Sequence, residues 1–344
     1  MIRLKVNNYI FDNWLNVKVT RSLAAISGKF EISYTSNIDD PINPTDYLSN
    51  DDLCTLLFKD KPLITGYIDE ISNSLDESSI SFDITGRDKT GDLVDSANTN
   101  NNRSFKNVSL KFMAETLASP FGINVSGKSN KSNSIINNIS LQQNETIWES
   151  ISKLAKYQGV LAYPDHDGGI IFSDVASSVV TSLKQGENIS SINFTQKDSE
   201  KFQTYRVYVN VGSPKNKHKK EIAEVIDNSV KRPRVKQVPI TKSITLNEAK
   251  ERAKWEMAKQ IAKAFSLSIE LPSWEYEDGK IWEINTLVNI DYPVFKLKGD
   301  FLIEETNFIF DENGFKTELK LVIKDAYNPT EERNSSKIGE EMSV

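Results

Sequence analysis

The stretch from Pro62 to Asp92, PLITGYIDEISNSLDESSISFDITGRDKTGD, decides how the rest of the chain is read. Its first arm alternates through Ile64, Gly66, Ile68 and Glu70, its second through Ile80, Phe82 and Ile84, and an acidic, serine-rich turn separates them. A period of two marks a half-buried antiparallel hairpin. Near the other end, Leu302 to Asp325, LIEETNFIFDENGFKTELKLVIKD, repeats the plan, with a turn at Asp311-Glu312-Asn313-Gly314 and a second arm through Leu319, Leu321 and Ile323. FDITGRD falls on LKLVIKD. A plan used twice around a helical region predicts two related β domains in one chain.

Working outward, residues 1–95 read as a meander of short strands: Ile2, Leu4 and Val6 alternate, then Val17 and Val19, then Phe30, Ile32 and Tyr34, then Cys54 to Phe58. Turn residues such as Pro41, Asn43, Pro44 and Asp46 punctuate them. A barrel is the expected arrangement, because closure removes exposed strand edges.

Residues 96–190 predict a small α+β domain. Ser109 is placed to cap a helix that buries Leu110, Met113, Ala114 and Leu117 and stops at Ser119-Pro120. The polar segment from Ser126 to Asn138 reads as a loop, and Asn144 as the cap of a second helix ending at Gly159. A hairpin follows around Asp165-His166-Asp167-Gly168.

Residues 191–212 and 246–327 are expected to form the second β-barrel, with one packed helix that starts from a Thr245/Glu248 capping box and carries a stripe of Ala249, Ala253, Met257, Ile261 and Phe265. Residues 213–245 read as an irregular basic insertion and 328–344 as a flexible tail. The expected fold class is therefore β-rich α+β, with two related antiparallel barrels flanking a small α+β domain.

The 344 residues are 38% hydrophobic and 26% charged, the composition of a globular chain, and the net charge of −6 does not suit a dedicated nucleic-acid binder. Cys54 is alone, so no internal disulfide forms, and two histidines among no cysteine pairs give no zinc spacing. No apolar run approaches the length of a spanning helix, and the amino terminus lacks a signal-peptide core, so the chain is expected to stay where it is made, without membrane insertion.

Two places carry residues that could do chemistry. Asp165-His166-Asp167 offers a base or metal triad on paper, but its setting favours a hairpin tip in which Asp and Gly serve the turn. Glu275, Glu277, Asp278 and Glu283 lie near Trp274, Tyr276 and Trp282, a mixture that would suit a sugar cleft or, alternatively, aromatic rings plugging a barrel end. No catalytic residue, cofactor site or metal site is expected.

Gly66-Tyr67-Ile68-Asp69, followed by Gly86-Arg87-Asp88-Lys89-Thr90 and by Asp92-Leu93-Val94-Asp95, resembles the pattern of the phage Mu baseplate hub family, contractile-tail proteins similar in fold to the T-even phage hub. Leu117 to Ile123, Glu145 to Phe172, Gly186 to Ile189 and Gly299 to Ala326 extend the resemblance over most of the chain. It implies structural motif residues at Gly66, Tyr67, Asp69, Gly86, Arg87, Asp88 and Lys89, and a virion-tail location after assembly in the host cytoplasm. It also implies a homotrimeric ring whose two barrels per chain adapt a threefold central spike to a sixfold tail tube. The tape-measure protein and then DNA would pass through its channel without specific binding. A tail-associated cell-wall hydrolase and a glycan-binding tail module stand as alternatives, and a prophage remnant or tail-like bacteriocin would use the same hub.

Overall fold

The computed structural model describes residues 1–37, 47–77, 79–98, 104–142, 145–210, 220–238, 246–295, 297–324 and 327. The expected tail at 328–344, the Thr245 cap and the basic run Pro214 to Lys219 lie outside the described residues. Two compact units are present, one of residues 1–176, 270–285 and 304–319, the other of residues 177–269, 286–303 and 320–344.

The first unit opens with β1 (Ile2–Val6), β2 (Tyr9–Phe11), β3 (Asn16–Ser22), β4 (Lys29–Asn37), β5 (Leu53–Phe58), β6 (Lys61–Leu75) and β7 (Ser79–Asp88). Their alternation sends Leu4, Val17, Val19, Ile32, Leu56, Ile68 and Ile84 inward, all at most 1% exposed. The quoted hairpin is β6 on β7, in register from Gly66 opposite Asp88 to Leu75 opposite Ile80, with a bulge between Ile68 and Glu70.

A mixed layer follows: α1 (Gly91–Asp95), β8 (Ser104–Ser109), α2 (Leu110–Ala118), β9 (Val125–Gly127), β10 (Ile135–Ser140), α3 (Ile147–Gln158), β11 (Leu161–Pro164) and β12 (Ile170–Ser173). Leu93, Met113, Leu117, Ile151, Ile170 and Phe172 share one core. Ser109 caps α2 as expected, accepting from the Phe112 amide at 3.2 Å. The cap of α3 is Thr146, not Asn144: Thr146 and Glu149 form a reciprocal capping box, with bonds of 2.8 and 3.1 Å. The expected loop from Ser126 to Asn138 is also corrected. Ile135 pairs with Ser109 and Ile136 with Val108, while buried Ser129 and Ser132 bond each other through a 3₁₀ turn. The segment is largely exposed, as its polarity suggests, but Ser129 and Ser132 turn inward and bond locally.

The second unit is built from β13 (Val179–Lys184), β14 (Ser191–Gln196), β15 (Thr204–Asn210), β16 (Lys220–Ile226), β17 (Val235–Gln237) and α4 (Leu246–Ala264). β18 (Phe265–Leu271), β19 (Glu275–Glu277), β20 (Lys280–Ile281), β21 (Leu287–Tyr292), β22 (Leu297–Asp311) and β23 (Gly314–Ile323) complete the chain. Residues 220–226 and 235–237, inside the stretch expected to be irregular, flank β15 as strands. The helix α4 covers this three-stranded sheet: Ala249, Ala253, Met257 and Ile261 pack with Tyr205, Val207, Val209 and Ala223. It belongs to the small sheet rather than to a barrel.

Neither expected barrel exists. Around the first hairpin the strands run β22-β3-β4-β7-β6-β5-β1-β2, and the end strands share no ladder. Rings stand where a ladder would close the sheet: Phe58 on β5 lies 4.9 Å from Trp274, which lies 5.5 Å from Phe308 on β22 and 5.1 Å from Phe315 on β23. Trp274 is fully buried, its indole donating to the carbonyls of Ile309 and Lys316 at 3.0 Å. Among the described residues, side-chain rings meet here and no backbone ladder joins β5 to β22 or β23. In the other half, among the described residues, the order ends at β14 and β13 has β21 as its one ladder partner.

The duplication survives the loss of closure. The order β1-β5-β6-β7-β4-β3 is matched by β13-β21-β22-β23-β18-β14, and each set is met in the same succession along the chain. The long hairpins agree in size, 15 and 10 residues for β6 and β7, 15 and 10 for β22 and β23. One direction differs: β1 is antiparallel to β5, whereas β13 is parallel to β21. The small sheet with α4 is inserted between β14 and β18, where the first set has only the short connection from β3 to β4.

Candidate functional site

The family-pattern residues converge where β6 and β7 cross. A Cβ on Gly66 would stand 2.7 Å from the Arg87 carbonyl carbon and would overlap its oxygen; one on Gly86 would overlap the Tyr67 carbonyl and stand 2.6 Å from Phe30 Cε1. Both positions require glycine for space rather than for a left-handed backbone. The close crossing, with the bulge at Asp69, turns the strand so that the Asp69 carboxylate faces the Arg87 side chain.

Arg87 then forks between two carboxylates. Its Nε donates to Asp69 Oδ2 at 2.8 Å and its Nη2 to Asp95 Oδ2 at 2.8 Å, tying β7 to β6 and to the end of α1. The bond to Asp69, then the one to Asp95, raises the Arg87 pKa, and the guanidinium holds Asp95 below the usual carboxylate range. Asp51, Tyr67, Asp69, Arg87, Asp88, Gly91 and Asp92 line a recess here. Burial pushes the Asp92 pKa up.

Asp88 points the other way, into the interior, and is 3% exposed. It accepts from the Gly28 amide at 2.6 Å, from the Thr90 amide at 2.9 Å and from the Thr90 hydroxyl, which also lies 3.1 Å from the Ile26 carbonyl. One carboxyl group thus joins the β3–β4 connection to the start of α1. Burial pushes its pKa up to about 6 against the pull of these donors. The Lys89 amide donates to the Thr65 carbonyl at 3.3 Å, and its side-chain stem lies beside Gly168. All seven pattern residues therefore lie at one crossing that joins three segments.

A second cluster escaped the sequence reading. Asp165 serves its turn, accepting from the Asp167 and Gly169 amides at 2.9 and 2.6 Å. His166 does more: Nε2 lies 2.6 Å from Glu283 Oε1 and Nδ1 3.0 Å from the Leu63 carbonyl. Arg21, buried on β3, donates to Glu283 at 2.8 Å and to the Pro164 carbonyl at 3.0 Å, and its Nη1 rests against the imidazole, 3.0 Å from Nε2 and 3.1 Å from Nδ1. Burial works to raise the Glu283 pKa, but the His166 bond and the Arg21 charge outweigh it and leave the pKa below its ordinary value. The only signal in the sequence was a histidine in a turn whose geometry asks for none.

Three of the four acids of the supposed sugar cleft are paired with cations, and the fourth, Asp278, is exposed. Glu275 pairs with Lys59 at 2.5 Å and Glu277 with Lys280 at 2.8 Å, Glu283 is held as described, and Trp274 is interior. Among the described residues no group of three His, Cys, Asp or Glu side chains is placed to hold a metal ion, and no helix is long and apolar enough to cross a membrane.

Comparison with known proteins finds baseplate and tail relatives over most of the chain. Residues 1–88 match the N-terminal domain of Mu phage baseplate assembly protein GpP-like proteins, 90–174 the second domain of baseplate hub protein gp44-like proteins, and 245–330 the fourth domain of Mu phage baseplate assembly protein GpP. The chain is 28% identical over 338 residues to the baseplate hub protein gp44 of Escherichia phage Mu, covering 95% of this chain and 88% of that one. It is 28% identical to the 43 kDa tail protein of prophage MuSo2 from Shewanella oneidensis, with a TM-score of 0.87 over 95% of this chain and 99% of the other. The tail protein from Neisseria meningitidis MC58, at 19% identity, shares the fold with a TM-score of 0.81 over 95% and 98% of the two chains.

Proposed function

Because this chain belongs to the Mu gp44-like family of baseplate hub and tail proteins, structural components of a phage or prophage tail rather than enzymes, we propose that three copies form a ring joining the threefold central spike to the sixfold tail tube. The observation that carries this reading is the repeated strand order, β1-β5-β6-β7-β4-β3 and β13-β21-β22-β23-β18-β14. Two like-ordered strand sets per chain give six per trimer, the number a sixfold tube must meet. Successive heterologous contacts that close on themselves produce such a ring.

The ring lines a passage for the tape-measure protein and then for DNA, which it does not bind; a net charge of −6 suits a wall that phosphate slides past. Assembly takes place in the host cytoplasm before the tail is complete. Within each chain, residues 1–95 and the strand set β13, β14, β18, β21, β22 and β23 are the two tube-facing β regions, and 96–176 is the spacer towards the spike. Gly66, Tyr67, Asp69, Gly86, Arg87, Asp88 and Lys89 serve as the clamp that keeps the first region rigid under load.

Mass in solution and electron-microscope projections of the purified protein test the proposal. A mass of three chains with a threefold annulus around a central hole is expected. A monomer at all concentrations, or a closed particle without a hole, overturns it.

A further inference from the structure

The repeated order also exposes a mismatch at one strand edge. In β22, the first six residues, Leu297–Leu302, pair with β21, and the stretch from Glu305 to Phe310 then pairs antiparallel with β3. In the counterpart β6, the first seven residues pair with β5, but beyond them the edge from Asp69 to Leu75 has no ladder partner among the described residues other than β7 on its far side. It is open: Asp69, Glu70, Ser72, Asn73, Ser74 and Leu75 are exposed, Leu75 to 69%.

The strand that would fill this edge by analogy is the counterpart of β3, which is β14. It ends the sheet order, with β18 as its one neighbour, and its outer edge is therefore unpaired among the described residues. Its sequence follows that of β3: Val17-Lys18-Val19-Thr20 is echoed by Ile192-Asn193-Phe194-Thr195, with apolar side chains at the same alternate places. Ser191, Asn193, Thr195 and Gln196 are exposed. Run antiparallel, the acidic start of the β6 edge at Glu70 meets Lys197 just past the end of β14.

We infer that the open edge of β6, Asp69 to Leu75, is completed by strand β14 of a second copy of this chain, in the antiparallel manner in which β3 completes β22. Two half-edges of opposite kind on one chain make a head-to-tail contact that propagates until it closes, and strand addition at a sheet edge supplies backbone hydrogen bonds at each step. The inference rests on the ring proposed above and specifies which strands carry its subunit contact.

Engineered cysteines test it on the full chain, since the native Cys54 is buried. Ser72→Cys or Ser74→Cys is combined in turn with Asn193→Cys or Thr195→Cys, and each pair is oxidised. At least one pair should convert most of the protein to a covalent trimer on denaturing gels, and the four single variants should give none. In parallel, Ser72→Pro and Asn73→Pro place the missing amide at successive positions, one of which faces outward. That one should reduce the solution mass from three chains to one with an unchanged circular dichroism spectrum. If the wild-type protein is a trimer but no cysteine pair links it and both proline variants remain trimeric, the edge assignment is wrong while the ring stands. A wild-type monomer overturns the ring, and the edge contact with it.

Discussion

Gly66 and Arg87 cross with no room for a methyl group between them: a Cβ on Gly66 would overlap the Arg87 carbonyl oxygen and lie 2.7 Å from its carbon. Both sides of the clash are backbone, so neither can swing away. The arginine whose main chain forbids the methyl is the one whose side chain ties Asp69 to Asp95.

Gly66→Ala should therefore be among the most damaging small changes in the chain, costing at least about 3 kcal/mol, the upper end of ordinary overpacking. Gly159→Ala offers a contrast: its Cβ would meet nothing within 4 Å, and its cost comes from a φ of +66°, roughly 1 kcal/mol. Urea midpoints of the two variants check the order, which would be refuted if Gly66→Ala were the milder.

Asp88 makes stability fall as pH rises. Its folded pKa of about 6 lies above the ordinary 3.8, so between those values the folded chain holds a proton that the unfolded chain has released. The contribution of this group is greatest below pH 4 and is lost as pH passes 6, by up to about 3 kcal/mol for a shift near two units. Asp88→Asn should remove that decline. It should also lower stability overall, since an amide cannot accept at both oxygens and would set an N–H against the Gly28 amide. Unfolding free energies of both proteins from pH 4 to pH 7 test the slope.

Arg21 and Glu283 should be strongly coupled. Arg21 is 3% exposed and its removal strands the carboxylate beside His166, so Arg21→Ala should cost about 3 kcal/mol. The double variant with Glu283→Gln should cost clearly less than the sum of the two singles, and a double-mutant cycle by chemical denaturation measures the difference. The Glu283 pKa lies below its ordinary value, so its contribution is present above about pH 4.5 and fades in acid, opposite in sign to that of Asp88.

Cys54 should be silent in the native protein. Burial, with the negative charge of Asp52 adding to it, pushes its pKa up to about 12, and the thiolate is the reactive form. A thiol reagent at pH 8 should modify no cysteine in the folded wild type and one per chain in denaturant.

What the sequence revealed depended on how far apart the responsible residues lie. The hairpin was legible because Ile64, Ile68, Phe82 and Ile84 write its period within some twenty positions, and the Ser109 cap because it sits beside the helix it starts. The Thr146 box was equally local and was passed over for Asn144 two residues earlier. Barrel closure was not legible: it turns on Trp274 standing among Phe58, Phe308 and Phe315, and no local pattern tells a ring stack from a ladder. The Arg21, His166 and Glu283 cluster joins segments 262 residues apart, and none of the three sits in a motif.

The two strand sets differ most in one link. The link from β14 to β18 has taken in a sheet and a helix of its own, while the equivalent link from β3 to β4 stays short, held at Gly28 by Asp88. A bond from one carboxylate to a loop amide thus ties the short link to the end of β7. A protein engineer wishing to graft a passenger domain should follow the chain's own precedent and choose the second link.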